Sequence, residues 1–310
     1  MDDREIFAKP ALTFDEQLDR LAERGMHIPN RERAHHALTH LNYYRLCAYW
    51  LPFEADHATH LFRAEADFQR VLELYEFDRA LRLLLMDAIE RIEISVRTRL
   101  AYHLGHAAGS HAHENPACFG NATWHARNLE KLREERDRSD EEFVTHYRVT
   151  YHTPGTPPIW ASCEIMSFGL LSRFLKSLHV RHRQAIANAY GIPGTILPGL
   201  THHLCYVRNL CAHHARVWNR EFTITPAQPR HRPRALRDSL LPEAGGGRAG
   251  RDPARRVYNT LTFLGYLMHN VAPGDDWIAR TDRLIERHAI DRTAMGFPED
   301  YQDRPIWVRR

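Results

Sequence analysis

ADFQRVLELYEFDRALRLLLMDAIERIEISVRTRLAYHL (Ala66–Leu104) carries the strongest period in the chain. Val71, Leu74, Tyr75, Asp78, Leu81, Leu85, Ala88, Ile89, Ile92, Val96 and Leu100 mostly recur at steps of three and four, the repeat of one helical face. No proline or glycine interrupts the pattern before Gly105. The stretch predicts one helix, on the order of 50–60 Å long at 1.5 Å per residue. Its polar positions include Glu90, Arg91, Glu93, Arg97 and Arg99. Glu90 and Glu93 sit where a carboxylate can reach a partner helix. Glu93 and Arg97 also have the i,i+4 spacing of a plain surface ion pair.

Outward from this helix the same signals repeat. Thr13 with Glu16 forms a capping box for Phe14–Arg24, and Gly25 stops that helix. Asn30 caps Arg31–Leu41, which runs on into Tyr43, Tyr44, Leu46, Tyr49 and Trp50 until Pro52. That aromatic group reads as core packing or as a surface for stacked bases. Beyond Gly105, Trp124–Tyr151 reads as one charged, solvated helix. Pro158–Leu178 is apolar, with Gly169 marking a close helix–helix approach. Val180–Tyr190, Arg255–Val271 and Asp276–His288 complete the helices. Thr225–Pro253, rich in Pro, Arg and Gly, reads as a mobile loop or disordered insertion. Its arginines (Arg230, Arg232, Arg234, Arg237, Arg248, Arg251) are candidates for touching RNA. No strand alternation and no internal repeat is present. The expectation is an all-α single domain over 1–310: a hairpin at 9–55, a bundle from 66–222 and 254–290, and a mobile insertion at 225–253.

Composition excludes little but directs attention. The chain has 310 residues, 43% hydrophobic, 26% charged and a net charge of +3, ordinary values for a globular protein. Only Lys9, Lys131 and Lys176 are lysine, so nearly all basic side chains are arginine, the planar donor that grips phosphate in two places. Codon bias explains the same excess. The five cysteines form no CxxC pair, so a reducing compartment and the cytoplasm are expected. No apolar run approaches the roughly 18 residues of a membrane span, so no membrane partner is expected.

The chemistry concentrates in LTHHLCYVRNLCAHHARVWNR (Leu200–Arg220). Leu200, Leu204, Val207, Leu210 and Cys211 give an apolar stripe. Against it stand Arg208, Asn209, His213, His214, Arg216, Asn219 and Arg220. Asn209 and His213 share a helical face at i,i+4, whereas Arg208 and His213 point roughly 140° apart on a regular helix. His213 and His214 both remain open as the chemical histidine, with His213 preferred because of Asn209. Such a set suits cleavage of RNA. A neutral imidazole removes the 2′-hydroxyl proton, an imidazolium protonates the leaving oxygen, and a guanidinium receives the negative charge at phosphorus. DNA lacks the attacking hydroxyl. The alternative use of His202, His203, Cys205, Cys211, His213 and His214, or of His36 and His40, as metal ligands matches no finger or HExxH spacing. No metal or other cofactor is expected.

The chain also resembles a known family. KPALTFDEQLDRLAERG, LNYYRLCAYWLPF, LYEFDRALRLLLMDAIERIEISVRTRLAYHLG, FVTHYRVTY, PPIWASCEIMSFGLLSRF, IANAYGI, VRNLCAHHARVWNR and MGFPEDY occur in the order found in the Abi family of the AbiD/AbiF type, bacterial abortive-infection proteins of phage defence. The likeness runs from about Lys9 to Trp307 and is weakest over 225–253. It implies a HEPN-like helical bundle with additional N- and C-terminal helices, and a metal-independent endoribonuclease whose Arg-x4–6-His motifs face each other across a homodimer. On this chain it implies Arg208 and His213 as the catalytic pair and Asn209 as the residue that orients the histidine. His214, Arg216, Asn219 and Arg220 would support them or contact RNA. Glu90 and Arg97 join that supporting set from the reading of the long helix alone. The resemblance also allows a small non-coding RNA as partner, and a non-catalytic RNA-binding or sensor protein as the alternative function.

Overall fold

A computed structural model describes residues 8, 10–243 and 252–308. Among them are thirteen α-helices and one two-stranded ribbon, so the fold is all-α as expected. The chain separates into two compact units, 1–80 with 286–290, and 81–285 with 291–310.

The first unit holds α1 (Phe14–Glu23), α2 (Arg31–His40), α3 (Tyr43–Trp50) and the ribbon β1 (Glu54–Asp56) with β2 (Leu61–Phe62). Local chemistry sets each boundary. The Thr13 hydroxyl accepts from Glu16 N, and Glu16 reaches back to Thr13 N at 2.7 Å. Gly25 leaves α1 in the left-handed region at φ 94°, where a side chain is disfavoured. Asn30 caps α2 through Arg33 N at 2.8 Å. Asn42 starts α3 afresh, so α2 does not run on into the aromatic segment. Of that segment, Tyr49 and Trp50 are buried and Tyr44 is exposed. The Tyr49 hydroxyl donates to the fully buried Asp78 carboxylate at 2.7 Å. Most of the aromatic group is therefore core. The ribbon pairs antiparallel and was not anticipated; two strands of three and two residues are too short to show alternation.

The long helix is α4 (Phe68–Ala108), started where Asp67 Oδ1 accepts from Gln69 N at 2.6 Å. Its second half belongs to the second unit with α5 (Ala122–Asp137), α6 (Glu142–Thr150), α7 (Ile159–Ile165), α8 (Phe168–Ser177), α9 (Val180–Asn188), α10 (Leu197–Ala212), α11 (Arg234–Ser239), α12 (Val257–Val271) and most of α13 (Trp277–Arg287). Two stretches read as single helices are pairs. Trp124–Tyr151 breaks at Ser139–Asp140. Pro158–Leu178 breaks at Ser167, which caps α8 and is itself held by both oxygens of Glu135 at 2.8 Å. Helix α12 is buried on nearly every face. Helices α8 and α10 pack on each other, and α5 lies against α8.

The insertion differs from the expectation where it is described. Residues 225–243 contain α11, with Leu236 and Leu240 buried against α12. Tyr258 donates to the Ser239 carbonyl at 2.7 Å, and Asn259 Oδ1 accepts from Leu241 N at 2.9 Å. This half is folded because Leu236 and Leu240, four apart, share one face, a pair too short to stand out among Pro and Arg. Gly245–Gly247, Arg248 and Arg251 lie outside the described residues.

Candidate active site

Helix α10 begins with Pro198 in its first turn, where a missing N–H costs nothing. Leu200, Leu204, Val207 and Cys211 are buried, as the apolar stripe requires. Gly169 of α8 faces α10 at Cys205; a Cβ there would stand 3.8 Å from Sγ, ordinary contact distance. His203 is a tie rather than a reactive group. It is 1% exposed, its Nδ1 meets the Ile224 carbonyl at 2.7 Å, and its Nε2 meets Thr260 Oγ1 at 2.9 Å. Burial pushes its pKa down to about 4, so the ring is neutral.

The histidine pair stands at the end of α10. His213 is the C-cap, and its imidazole is exposed. The next two amides turn back: His214 N donates to the Cys211 carbonyl at 3.0 Å and Ala215 N to the Leu210 carbonyl at 2.8 Å. This is the Schellman pattern, whose left-handed position usually holds glycine. Here it holds His214 at φ 57°. Such a conformation costs a non-glycine residue on the order of 1–3 kcal/mol and gathers at functional sites. Beyond the turn, Val217, Trp218 and Phe222 are buried and anchor the chain. Arg82 of α4, 5% exposed, donates to the Ala215 carbonyl at 3.4 Å, placing a cation by the negative end of α10.

Arg208 is half-buried one turn earlier, and its Nη1 donates to Asn209 Oδ1 at 3.3 Å. Asn209 in turn points its amide at Cys205 Sγ, 3.9 Å away. Its link to His213 is the backbone bond from His213 N to the Asn209 carbonyl at 2.9 Å. Among the described residues, then, the Asn209 side chain holds the arginine and not the imidazole. Arg220 lies beside Tyr206, whose hydroxyl also accepts from Thr223 at 3.3 Å. Burial pushes the Tyr206 phenol up, but hydrogen bonds from Thr223 and Arg220 together hold it below its usual value. Arg216 and Asn219 are half-buried. The Asn219 Oδ1 is sealed from solvent with no donor to it among the described residues.

Two candidates on α4 fall elsewhere. Glu90 is exposed. Arg97 is half-buried, paired with Glu93 and with the Cys163 carbonyl, and lies 3.4 Å from the Glu164 carbonyl. It closes the C-terminal end of α7, a structural use that leaves little of the fork for a ligand. Sequence reading passed over Arg82 and Tyr206. The signal for the first was an arginine set between Leu81 and Leu85 inside an apolar stripe. Tyr206 carries no signal of its own without the return of Arg220 and Thr223.

The arrangement offers an exposed imidazole, a second histidine in a strained turn, and a guanidinium at the solvent-facing end of an otherwise buried helix. A family model described as Abi-like protein matches residues 36–219, well over half of the chain and including all of α10 and the histidine turn. The chain belongs to that family, and with it to abortive infection, a phage-defence role. Neither the comparison with curated proteins nor that with solved structures gives a match. Among the described residues no helix is long and apolar enough to cross a membrane.

Proposed function

We propose that this member of the Abi-like family is a HEPN-type endoribonuclease of the AbiD/AbiF kind that cleaves RNA without a metal, through Arg208 and His213. The observation that carries the reading is the end of α10, where His213 is exposed at the helix cap and Arg208 is half-buried five residues before it. In the reaction the imidazole takes the 2′-hydroxyl proton and the 2′-oxygen attacks its own phosphorus. The bond to the 5′-oxygen then breaks with proton donation from an imidazolium. The products are a 2′,3′-cyclic phosphate and a free 5′-hydroxyl. Arg208 supplies a fixed fork to the charge gathering on the phosphoryl oxygens.

One imidazole cannot be base and acid in the same step. A homodimer with two copies of the α10 end facing one another supplies both. His214, Arg216, Asn219 and Arg220 line the same turn as supports or RNA contacts. The test is degradation of total RNA by purified protein in EDTA. Wild type is expected to degrade it, while Arg208→Ala and His213→Ala remain folded, dimeric and inactive. Activity that EDTA removes, or that both variants keep, overturns the reading. Intact RNA bound tightly points to the sensor alternative, in which a small non-coding RNA is a natural ligand.

A further inference from the structure

The second unit carries a basic groove that the catalytic reading does not use. It encloses about 420 Å³ between α5 and α8 and is lined by Trp124, Arg127, Asn128, Lys131, Arg173 and Lys176. The four α5 residues fall at i, i+3, i+4 and i+7, which is one helical face, and the α8 pair at i, i+3. Two of the three lysines of the chain are here. Trp124 is 43% exposed, with the Lys176 ammonium 5.0 Å from its ring centroid. Asn128, by contrast, is buried and donates to Ser177 Oγ at 3.3 Å, fixing the floor between the helices.

The neighbouring acids do not neutralise this surface. Glu135 is engaged by Ser167. Glu134 pairs with Lys131 at 2.6 Å, but both are exposed, so the pair is screened and a phosphate can displace it. Among the described residues Arg127 and Arg173 have no carboxylate within ion-pair distance. The groove also points to the helix end already described. Gly169 of α8 faces Cys205 of the packed helix α10, and Arg173 and Arg208 follow these two residues by four and three positions on their helices; both cations pull down a Cys205 thiol that burial pushes up.

We propose that the α5–α8 groove is a single-stranded RNA track leading to the Arg208–His213 site, with Trp124 stacked on a base and Arg127, Lys131, Arg173 and Lys176 on the flanking phosphates. The assignment rests on the reading of that site as RNA-cleaving. Four cations match a polyanion. An exposed indole matches an unstacked base, which a duplex, an acidic peptide or a lipid headgroup does not present. The volume falls in the range of small-molecule sites, enough for roughly one or two nucleotides at a time.

The test is anisotropy of a fluorescent 12-nucleotide oligouridine with the full-length His213→Ala protein in EDTA, at two salt concentrations. Trp124→Ala is expected to weaken binding about 5–100-fold, the range of one lost stacking contact. Arg127→Ala with Arg173→Ala is expected to weaken it at least tenfold and to flatten the salt dependence by about 1.4 in log–log slope, roughly 0.7 per phosphate lost. Lys176→Gln, a second exposed change, serves if either variant loses its cooperative thermal transition. Binding unchanged in these variants overturns the track. So does equal competition by polyglutamate, or equal binding of phosphatidylserine vesicles through the same residues. Cleavage in the wild-type background separates the two readings. If wild type cleaves and the groove variants keep the same kcat/KM, the track fails alone. If the groove variants lose oligouridine binding but no protein cleaves, the nuclease reading fails alone.

Discussion

At the residue scale, Arg208 and His213 carry different loads and should fail differently. His213 is exposed, so removing its side chain should leave the thermal midpoint within the roughly 0.5 kcal/mol usual for surface changes, whereas the half-buried Arg208 should cost somewhat more. His213→Ala should lower kcat about 10²–10⁴-fold, the range of a lost acid–base group. Arg208→Lys keeps the charge but loses the fork, so kcat should fall at least tenfold while KM moves little. A His213→Ala enzyme with wild-type kcat would reject the assignment. The residue types and the spacing were legible in the chain. The strained position of His214 was not, because left-handed geometry arises from the turn that ends α10, and a histidine there looks like any other. Nor was the partner of Asn209: helical spacing put it with His213, while the folded chain turns it to Arg208 and Cys205.

At the element scale, caps were the most readable feature. Thr13, Asn30 and Gly25 each act where their chemistry demands. The breaks at Ser167 and at Ser139–Asp140 were missed because hydrophobic content on both sides continues across them. Arg97 shows what elements ask of a charge. Held by Glu93 on its own helix, it joins α4 to the end of α7 through two carbonyls. Arg97→Met should therefore lower stability by about 3–5 kcal/mol, the cost of stranding the buried Glu93 carboxylate. RNA affinity should stay as it was, measured by urea unfolding beside oligouridine binding. Loss of RNA binding with unchanged stability would return Arg97 to the site. Gly265 is a second case: a Cβ there would collide with Ile278 of α13. Gly265→Ala should lower the urea midpoint by the equivalent of about 1–3 kcal/mol. An unchanged midpoint would mean that α12 and α13 separate freely.

At the scale of the whole molecule, helical class followed from period alone, but the two compact units did not, since their boundary falls inside the unbroken period of α4. Burial of histidine is equally invisible in a sequence with 22 of them. His203 is held at about 4 and His113 at about 3, both by burial. Each binds its proton in the unfolded chain near pH 6.5 but not in the folded one, so stability is full above that pH and falls as acid is added. At about 1.4 kcal/mol per unit, the loss on going from pH 7 to pH 4 is on the order of several kcal/mol. Urea midpoints should drop already between pH 7 and 5, before most carboxylates titrate; a flat or rising midpoint would contradict this. The central claim concerns how the phosphodiester breaks, and the termini of the products record it. Wild-type protein should cut an oligoribonucleotide in EDTA to leave 2′,3′-cyclic phosphate and 5′-hydroxyl ends, and should leave a 2′-deoxy substitution at the scissile position uncut. Cleavage at the deoxy position, or products with a 5′-phosphate, would contradict it.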